Sequence, residues 1–331
     1  MDRKLDELLF ALMQNMTIAV SGEKLARDLN VSHSTLTRWI EKLREAGVEV
    51  LGELFTGYRL TRLPDVMLPQ LIRPRLHTQA IGKSIFHFFS VDSTNAFASR
   101  LMLHGRRLAH GSVVIAESQT AGRGRLGRVW YSEPGSGLYF SIVLRPRIPP
   151  GYAPLFTLGT AVALHDAIER KTGLQVDIKW PNDLLVEGKK VCGILAEMQS
   201  EFDRVNSLII GVGVNVNQST MPPDLENTAA SLRIVSGREY SRLEILVEFL
   251  EEFENLITRF ELMGPVPVVD AWTERSSFAN GRRLQIHNGF RVVSGTTEGL
   301  NPYGALRLRT VEGGIEEIYS GEVVNSQALE G

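Results

Sequence analysis

Residues 1–65 alternate apolar helical stripes with polar turns. Apolar side chains recur at steps of three and four over the first 16 residues, which predicts an amphipathic helix. Ser21 and Ser32 each stand where a side-chain oxygen can cap a further helix. The runs 48–51 and 55–60 are typical of two strands joined by a short turn. Three short helices and a β-hairpin predict a winged helix-turn-helix.

The pattern changes after this segment. Prolines and weak periodicity predict a linker over residues 66–82. Residues 83–275 mix strand-length apolar runs with longer helical stripes, which is typical of a mixed α/β domain around one main sheet. The predicted strands are 112–117, 138–144, 175–180, 191–197 and 207–216, and the predicted helices are 95–103, 154–172 and 242–261. Residues 276–331 hold short strands with turns rich in Gly and Asn, which predict a small β-barrel of the Src-homology-3 type. The predicted fold class is therefore α+β.

Composition and charge exclude several classes of protein. The chain has 331 residues and a net charge of −2, so its overall charge does not draw it to nucleic acid or to a membrane surface. The single cysteine, Cys192, excludes an internal disulfide and is expected in the core. Acidic residues near the start are untypical of a secretory signal, and no apolar stretch approaches the length of a membrane span, about 18 residues. We therefore expect a cytoplasmic protein without a membrane segment.

The most informative stretch is the loop from Glu117 to Trp130. Three arginines and three glycines fall within residues 122–130, and no acid lies between Glu117 and Glu133. Glycine allows a close backbone approach, and arginine matches phosphate and carboxylate oxygens, so the loop is suited to a polyanion. Such a loop binds phosphates more strongly when it closes over them, so we expect residues 120–130 to be mobile without ligand and ordered with it. A solvated basic loop is the plain alternative.

This loop also contains a Gly-x-Gly-x-x-Gly string at Gly122, Gly124 and Gly127. A dinucleotide fold needs a helix to begin there and an acid about 20 residues later, and neither is predicted. A kinase needs a His-Arg-Asp and an Asp-Phe-Gly motif, and the chain has neither. Both interpretations are rejected.

Three other stretches carry polar groups at the ends of predicted elements. Lys190 opens a strand and can reach an anion as a point charge, while Asp183 can hold a metal or orient an amine. A hairpin with solvated lysines explains these two residues equally well. Asn215 follows a glycine-containing strand, and if buried it needs partners such as an adenine edge or neighbouring backbone. Residues 93–95, Ser-Thr-Asn, can cap a helix or bind a polar head group.

Together these stretches resemble the biotin protein ligase family, in its bifunctional ligase and repressor form. The shared elements occur in family order: Asp-Ser-Thr-Asn at 92–95, the Arg-rich loop at 122–130, Lys-Trp-Pro-Asn-Asp at 179–183 and Lys-x-x-Gly-Ile-Leu at 190–195. The resemblance implies that biotin and ATP form biotinyl-5′-adenylate, and that a lysine of the biotin carboxyl carrier protein then receives the biotin. It also implies Mg²⁺, which would stabilise the charge on the leaving pyrophosphate.

The resemblance assigns roles to twelve residues of this sequence. The expected biotin-binding residues are Ser93, Thr94, Asn95, Gln119, Arg123, Gly124, Arg125 and Lys190. The expected ATP- or adenylate-binding residues are Arg123, Arg125, Arg128, Trp130 and Asn215. The expected catalytic residues are Lys190, Arg125 and Asp183. No direct metal ligand is assigned.

The N-terminal segment has its own predicted role. The expected DNA-binding residues lie on the third helix and are Ser34, Thr35, Arg38 and Lys42. Residues 1–62 carry nine basic and nine acidic side chains, so charge gives little support for DNA binding. A packing module without a DNA role is therefore the alternative. The resemblance implies operator DNA of biotin genes as a partner and a homodimer when adenylate is bound.

Two rival functions remain open at this point. A lipoate–protein ligase shares the adenylation chemistry and the central fold, but lacks this loop pattern and a winged-helix segment. A ligand-sensing repressor without catalysis would not need the Arg-rich loop together with Lys190.

Overall fold

The computed structural model describes residues 3–62, 65–103 and 108–328. The chain begins with a winged helix-turn-helix, as predicted. Its elements are α1 (Arg3–Met13), α2 (Gly22–Asp28), α3 (His33–Glu45), β1 (Val50–Glu53) and β2 (Gly57–Leu60). The apolar faces of the three helices and the hairpin share one core.

Only one of the two predicted serine caps forms. Ser32 Oγ accepts the N–H of Thr35 at 3.2 Å and so caps α3. Ser21 makes no side-chain cap bond to α2, so that prediction is wrong. The preceding residue, Val20, is bridged to Tyr58 of β2, so the hairpin fixes the start of α2 instead.

The predicted linker packs against both domains. It contains a short helix, α4 (Pro69–Ile72). Val66 and Leu68 belong to the N-terminal core, whereas Met67 and Ile72 belong to the central core. The Glu254 carboxylate accepts the backbone N–H groups of residues 79, 80 and 81 at 2.5–2.8 Å, which ties the end of this segment to the central domain.

The central domain is built on a seven-stranded sheet. Its strands are β3 (Ile85–Phe88), β4 (Ser112–Ala116), β5 (Gly137–Leu144), β6 (Asp177–Lys179), β7 (Asp183–Val186), β8 (Lys189–Ser200) and β9 (Val205–Asn215). The strand order is β3-β4-β5-β9-β8-β7-β6, and only β3 and β4 run parallel. The expectation of one main mixed sheet is confirmed, although β3 and β7 were not predicted.

Helices cover the two faces of this sheet unequally. The helices are α5 (Thr94–Leu103), α6 (Ala153–Thr172), α7 (Leu232–Ser236), α8 (Arg242–Met263) and α9 (Val266–Arg275). One face packs on α6, α8 and α9 in the largest core. On the other face, α5 covers β4 and β5 through a smaller cluster. A cavity opens over the part of the sheet formed by β8 and β9.

The C-terminal domain is all β, as its short, regularly spaced strands predict. Its strands are β10 (Asn280–His287), β11 (Val292–Leu300), β12 (Leu306–Arg309), β13 (Ile315–Ile318) and β14 (Glu322–Ala328). They form one antiparallel sheet in the order β13-β12-β11-β10-β14. Trp180 donates its indole N–H to the carbonyl of Gly304 at 3.3 Å, and the apolar side chains of this sheet continue the central core. Across the described ranges, no helix combines the length and apolarity needed to cross a membrane.

Candidate active site

A cavity of about 550 Å³ opens over β8 and β9. It is bordered by the start of α5, the Arg-rich loop, the turn between β6 and β7, residues 221–229 and the start of β14. All twelve residues that the sequence singled out for this site line it. The cavity therefore brings together side chains that lie up to 122 positions apart, from Ser93 to Asn215.

The floor of the cavity consists of glycine backbone. Gly193 of β8 pairs directly with Gly213 of β9, while the residues on either side turn into the core. A Cβ atom at Gly213 would lie 2.3 Å from the Trp130 ring, and a Cβ at Gly193 would lie 2.8 Å from it. A Cβ at Gly211 would lie 2.3 Å from Asn95 Oδ1. Only glycine therefore lets Trp130 and Asn95 approach the sheet this closely.

One end of the cavity is a network of uncharged polar groups. Gln119 Oε1 accepts the N–H of Thr94 at 2.9 Å, and its Nε2 donates to Ser132 Oγ at 3.1 Å. Ser141 Oγ, fully buried, lies 2.7 Å from Thr94 Oγ1 and 2.6 Å from Asn95 Oδ1. Such fixed donors and acceptors suit a neutral ring that carries both an N–H and a carbonyl.

Ser93 caps a helix and also lies at the cavity. Its Oγ accepts the N–H of Ala96 at 3.4 Å, so it caps α5, and the residue also lines the cavity. The preceding Asp92 forms an ion pair with Arg100. The hydrogen bond from Arg100 lowers the pKa of Asp92 to about 2, so this carboxylate stays charged beside the helix start.

The Arg-rich loop folds back on itself above the glycine floor. Arg123 and Val129 form an antiparallel bridge, and Gly124 donates its N–H to the carbonyl of Arg128 at 2.7 Å. A 3₁₀ turn spans Arg125–Gly127 at the tip. One conformation is described, so the ordering of this loop by ligand stays a prediction.

Two arginines of the loop contact groups outside it. Arg125 donates to Asn182 Oδ1 at 3.0 Å and to Ser320 Oγ at 3.4 Å. Arg128 donates to both carboxylate oxygens of Glu322, at 2.6 and 2.8 Å. Burial lowers the pKa of Arg125, and the charges of Asp183 and Glu322 act against that effect. The cationic loop is thus held over the cavity by the C-terminal domain.

Lys190 and Asp183 form an ion pair at the opposite wall. Their Nζ and Oδ1 atoms are 2.6 Å apart, and Lys190 Nζ lies 5.6 Å from the centroid of the Trp130 ring. Asp183 opens β7 and pairs across the sheet with Gly193. A strand position fixes its carboxylate beside the lysine. The cavity therefore presents a cation and an anion within hydrogen-bonding distance of each other.

Asn215 is buried at the far end of the floor. Its Nδ2 donates to the carbonyl of Ala230 at 3.2 Å, and its Oδ1 accepts from Gln218 at 3.4 Å. Ala230 in turn donates its N–H to the carbonyl of Lys190 at 3.0 Å. Asn215 thus holds the segment after β9 against β8, which is the packing role that the sequence left open.

The sequence did not indicate three groups of this site. Glu322 and Ser320 lie about 195 positions from the loop arginines that they contact, within a stretch that carries no motif. Ser132 gives no signal in the sequence, because a lone serine near a turn is common. The residues of 221–229 that line the cavity show no periodicity. Cys192 is buried, as expected, and burial raises the pKa of its thiol.

The side chains predicted to bind DNA lie on the solvent side of α3. Ser34, Arg38 and Lys42 are exposed and Thr35 is partly exposed, opposite the buried Leu36 and Ile40. The hairpin is attached to this helix by Arg44, which donates to the carbonyls of Val50 at 3.1 Å and Gly52 at 2.8 Å. One face thus carries both the third helix and the wing.

Comparisons with known proteins agree with this geometry. Family models match residues 4–59 as an HTH domain, residues 88–215 as the biotin/lipoate A/B protein ligase family, and residues 281–324 as the biotin protein ligase C terminal domain. The "Bifunctional ligase/repressor BirA" of Bacillus subtilis is 38% identical over 92% of this chain and 93% of that protein. The chain belongs to the biotin protein ligase family.

Two other members of this family match at lower identity. The "Biotin--[acetyl-CoA-carboxylase] ligase" of Mycobacterium tuberculosis is 29% identical over 79% of this chain and 98% of that protein. The structure of the Aquifex aeolicus biotin protein ligase in complex with biotin and ATP is 30% identical, with a TM-score of 0.63, over 74% of this chain and 99% of that one. The cavity of this biotin protein ligase family member combines an uncharged polar network, a glycine floor and several cationic side chains.

Proposed function

We propose that this chain is an ATP-dependent biotin protein ligase that also represses biotin genes. The observation that carries the proposal is the single cavity in which the Gln119 network, the glycine floor and the cations Arg123, Arg125 and Lys190 meet. A ureido ring needs the first, an apolar tail needs the second, and a carboxylate facing a triphosphate needs the third.

In the first half-reaction, the biotin carboxylate attacks the α-phosphorus of ATP. A bond forms between the carboxylate oxygen and that phosphorus, the bond to the bridging oxygen breaks, and pyrophosphate leaves with its electron pair. Both reactants are anions, so Lys190 and Arg125 act by offsetting their repulsion and the charge that develops. The loop, closed over the product, excludes the water that would hydrolyse the mixed anhydride.

In the second half-reaction, a lysine amine of the carrier protein attacks the biotinyl carbonyl. An amide bond forms, adenosine monophosphate leaves, and the amine loses a proton. Asp183 lies 2.6 Å from Lys190, and in this proposal its carboxylate orients the incoming amine. Acetyl-CoA carboxylase, named for the Mycobacterium tuberculosis relative, supplies the proposed acceptor domain.

Mg²⁺ belongs to this proposal as a companion of the phosphates. Among the described residues, no group of three or more His, Cys, Asp or Glu side chains converges as a metal site. One carboxylate together with substrate phosphates is a usual way to hold Mg²⁺, and Asp183 at the cavity wall fits that role. When bound, the ion would neutralise phosphate charge.

The direct test is pyrophosphate release from ATP with biotin, with lipoate and with no added acid. Of these three mixtures, we expect release only in the one with biotin, followed by transfer of biotin to the biotin carboxyl carrier domain of a carboxylase. Release with lipoate and not with biotin would replace the proposal by its main rival. Biotin binding without any release would leave a ligand-sensing repressor.

The repressor half of the proposal rests on the exposed face of α3. A gel shift with upstream DNA of biotin genes, with biotin and ATP each present or omitted, tests it. We expect a shift that requires both ligands, and we expect Arg38→Ala to weaken it. Biotin transfer without any DNA shift would restrict the protein to the ligase function.

We also propose that the adenylate-bound chain forms a homodimer through an edge of the central sheet. A palindromic operator requires two winged-helix domains related by a two-fold axis. Sedimentation velocity with and without biotin plus ATP measures this. If the protein keeps the mass of a monomer at the concentrations that shift the DNA, the dimer would be ruled out.

A further inference from the structure

A buried chain of charges crosses from the winged-helix domain into the central domain. His87 of β3 lies between two carboxylates: its Nδ1 is 2.8 Å from Asp6 Oδ1 of α1, and its Nε2 is 3.1 Å from Glu117 Oε1. The His87 side chain is fully buried, and those of Asp6 and Glu117 are 6% and 3% exposed. This is a contact between domains that is withdrawn from water.

The chain continues beyond Glu117 on the central side. Glu117 Oε2 accepts from Arg242 Nη1 at 2.9 Å, and Arg242 Nε donates to Asp65 Oδ2 at 2.9 Å. Glu117 Oε1 also accepts the N–H of Met67 at 2.8 Å. One carboxylate therefore holds β3, α8 and the segment that connects the two domains.

The signs of the charges alternate along the chain. Burial by itself would lower the pKa of His87, but its hydrogen bonds to Asp6 and Glu117 raise that pKa to about 9. Burial by itself would raise the pKa of Glu117, but the charges of Arg242 and His87 lower it to about 2. Removing one buried charge takes away one of the partners that offset the burial of its neighbour, which is unfavourable. The contact between the domains thus depends on each member of the chain.

Glu117 is also two residues from the ligand pocket. Its backbone N–H donates to the carbonyl of Phe88, and its carbonyl accepts the N–H of Gly135. These bonds fix the backbone at Glu117, which is only two positions from Gln119. Gln119 makes its present bonds to Thr94 and Ser132, and a ring bound at this end of the cavity competes for them. A shift of Gln119 therefore acts on the same short piece of backbone that anchors Glu117.

We propose that the Asp6–His87–Glu117 chain transmits occupation of the ligand pocket to the winged-helix domain. The inference rests on the proposed binding of biotin and ATP, and it adds a route by which that binding controls the DNA-binding face. Hydrogen exchange on the full chain, with and without biotin plus ATP and Mg²⁺, measures the response to ligand at both ends of this route. One readout is the pocket, residues 93–97 and 119–131, and the other is α1 with the Met67 amide.

The decisive variant is Asp6→Asn, which removes one charge at the domain contact. The matched control is Asp28→Asn, which changes the charge of the same domain equally at an exposed position. In the natural chain and the control, ligand should slow exchange at both ends, by about fivefold or more in α1. In Asp6→Asn the pocket should still respond and α1 should not.

The other outcomes each decide something. A ligand response of α1 in Asp6→Asn equal to that of the control would overturn the inference while leaving the proposed function standing. So would a natural chain in which the pocket responds and α1 does not. Absence of any response in the pocket would overturn the proposed function and the coupling with it. If the α1 amides of Asp6→Asn already exchange completely without ligand, no ligand effect can be measured there. The His87→Gln variant is then compared with the control in its place.

Discussion

At the scale of single residues, neighbouring lysines at the start of β8 have different surroundings. Lys190 lies in the cavity, 2.6 Å from Asp183, whereas Lys189 donates to the carbonyl of Glu226 at 3.0 Å on the outside. The two side chains therefore form a matched pair for testing what a cation inside the cavity does.

We expect Lys190→Ala to lower the rate of pyrophosphate release by about a hundredfold, because one positioned cation beside the reacting phosphate is lost. Lys189→Ala should keep the natural rate. Initial rates with saturating biotin and ATP measure both. Equal rates in the two variants would show that the position of Lys190 in the cavity has no catalytic consequence.

Arg125 should act later, on retention of the intermediate. Arg125→Ala removes one or two charge-assisted hydrogen bonds, each worth about 1.5–3 kcal/mol, so adenylate should dissociate about tenfold faster or more. Arg147→Ala, at an exposed arginine away from the cavity, is the control. Dissociation of labelled adenylate gives the rate, and an unchanged rate in Arg125→Ala would remove this arginine from the adenylate site.

At the scale of elements, the glycine floor joins two strands into one flat surface. Gly193 and Gly213 pair across β8 and β9, and the Trp130 ring fills the space where their side chains would be. The consequence for a ligand is that its tail can lie against the Trp130 ring, which the two glycines allow to sit close to the sheet.

We expect Gly213→Ala to weaken biotin binding by about tenfold or more, because the new methyl group displaces Trp130 and overpacking costs about 1–3 kcal/mol. Gly314→Ala is the control, since its nearest neighbour to an added Cβ is a side-chain atom 3.8 Å away. Calorimetric titration with biotin measures the affinities. Natural affinity in Gly213→Ala would mean that the tail binds elsewhere.

The sequence predicted the elements of this chain unevenly. The helices α6 and α8 are long, and their apolar stretches exceed the length of a strand, so their bounds were predicted within a few residues. The strands β3 and β7 have four residues each, which is too short for a pattern to stand out. Those cavity-lining residues that are concentrated in short motifs were named from the sequence. Glu322 was missed because its contact with Arg128 is set by domain packing, which no local spacing records.

At the scale of the whole molecule, the charge chain through His87 should make stability depend on pH. In the folded protein the pKa of His87 is about 9, against an ordinary value of 6.5, so folding favours the protonated ring. Its contribution is therefore complete below pH 6.5 and is lost as the pH rises through about 9. Glu117 acts in the other direction, and its contribution is lost only as the pH falls through about 2.

Urea unfolding between pH 6.5 and about pH 9 measures this dependence. We expect the free energy of unfolding of the natural chain to fall across that range, and that of His87→Gln to fall less. The difference between the two curves isolates the histidine from other groups that titrate there. Parallel curves would show that His87 is not charged in the folded protein.

The N-terminal core is completed by residues that lie outside the N-terminal domain. Val66, Leu68 and Phe89 are at least nine-tenths buried and belong to the same apolar cluster as the three helices. A chain shortened by its first 62 residues would therefore expose these three side chains together on the ligase that remains. Losing the DNA-binding function in evolution would thus require more than a deletion, because the new surface must also become polar to stay soluble.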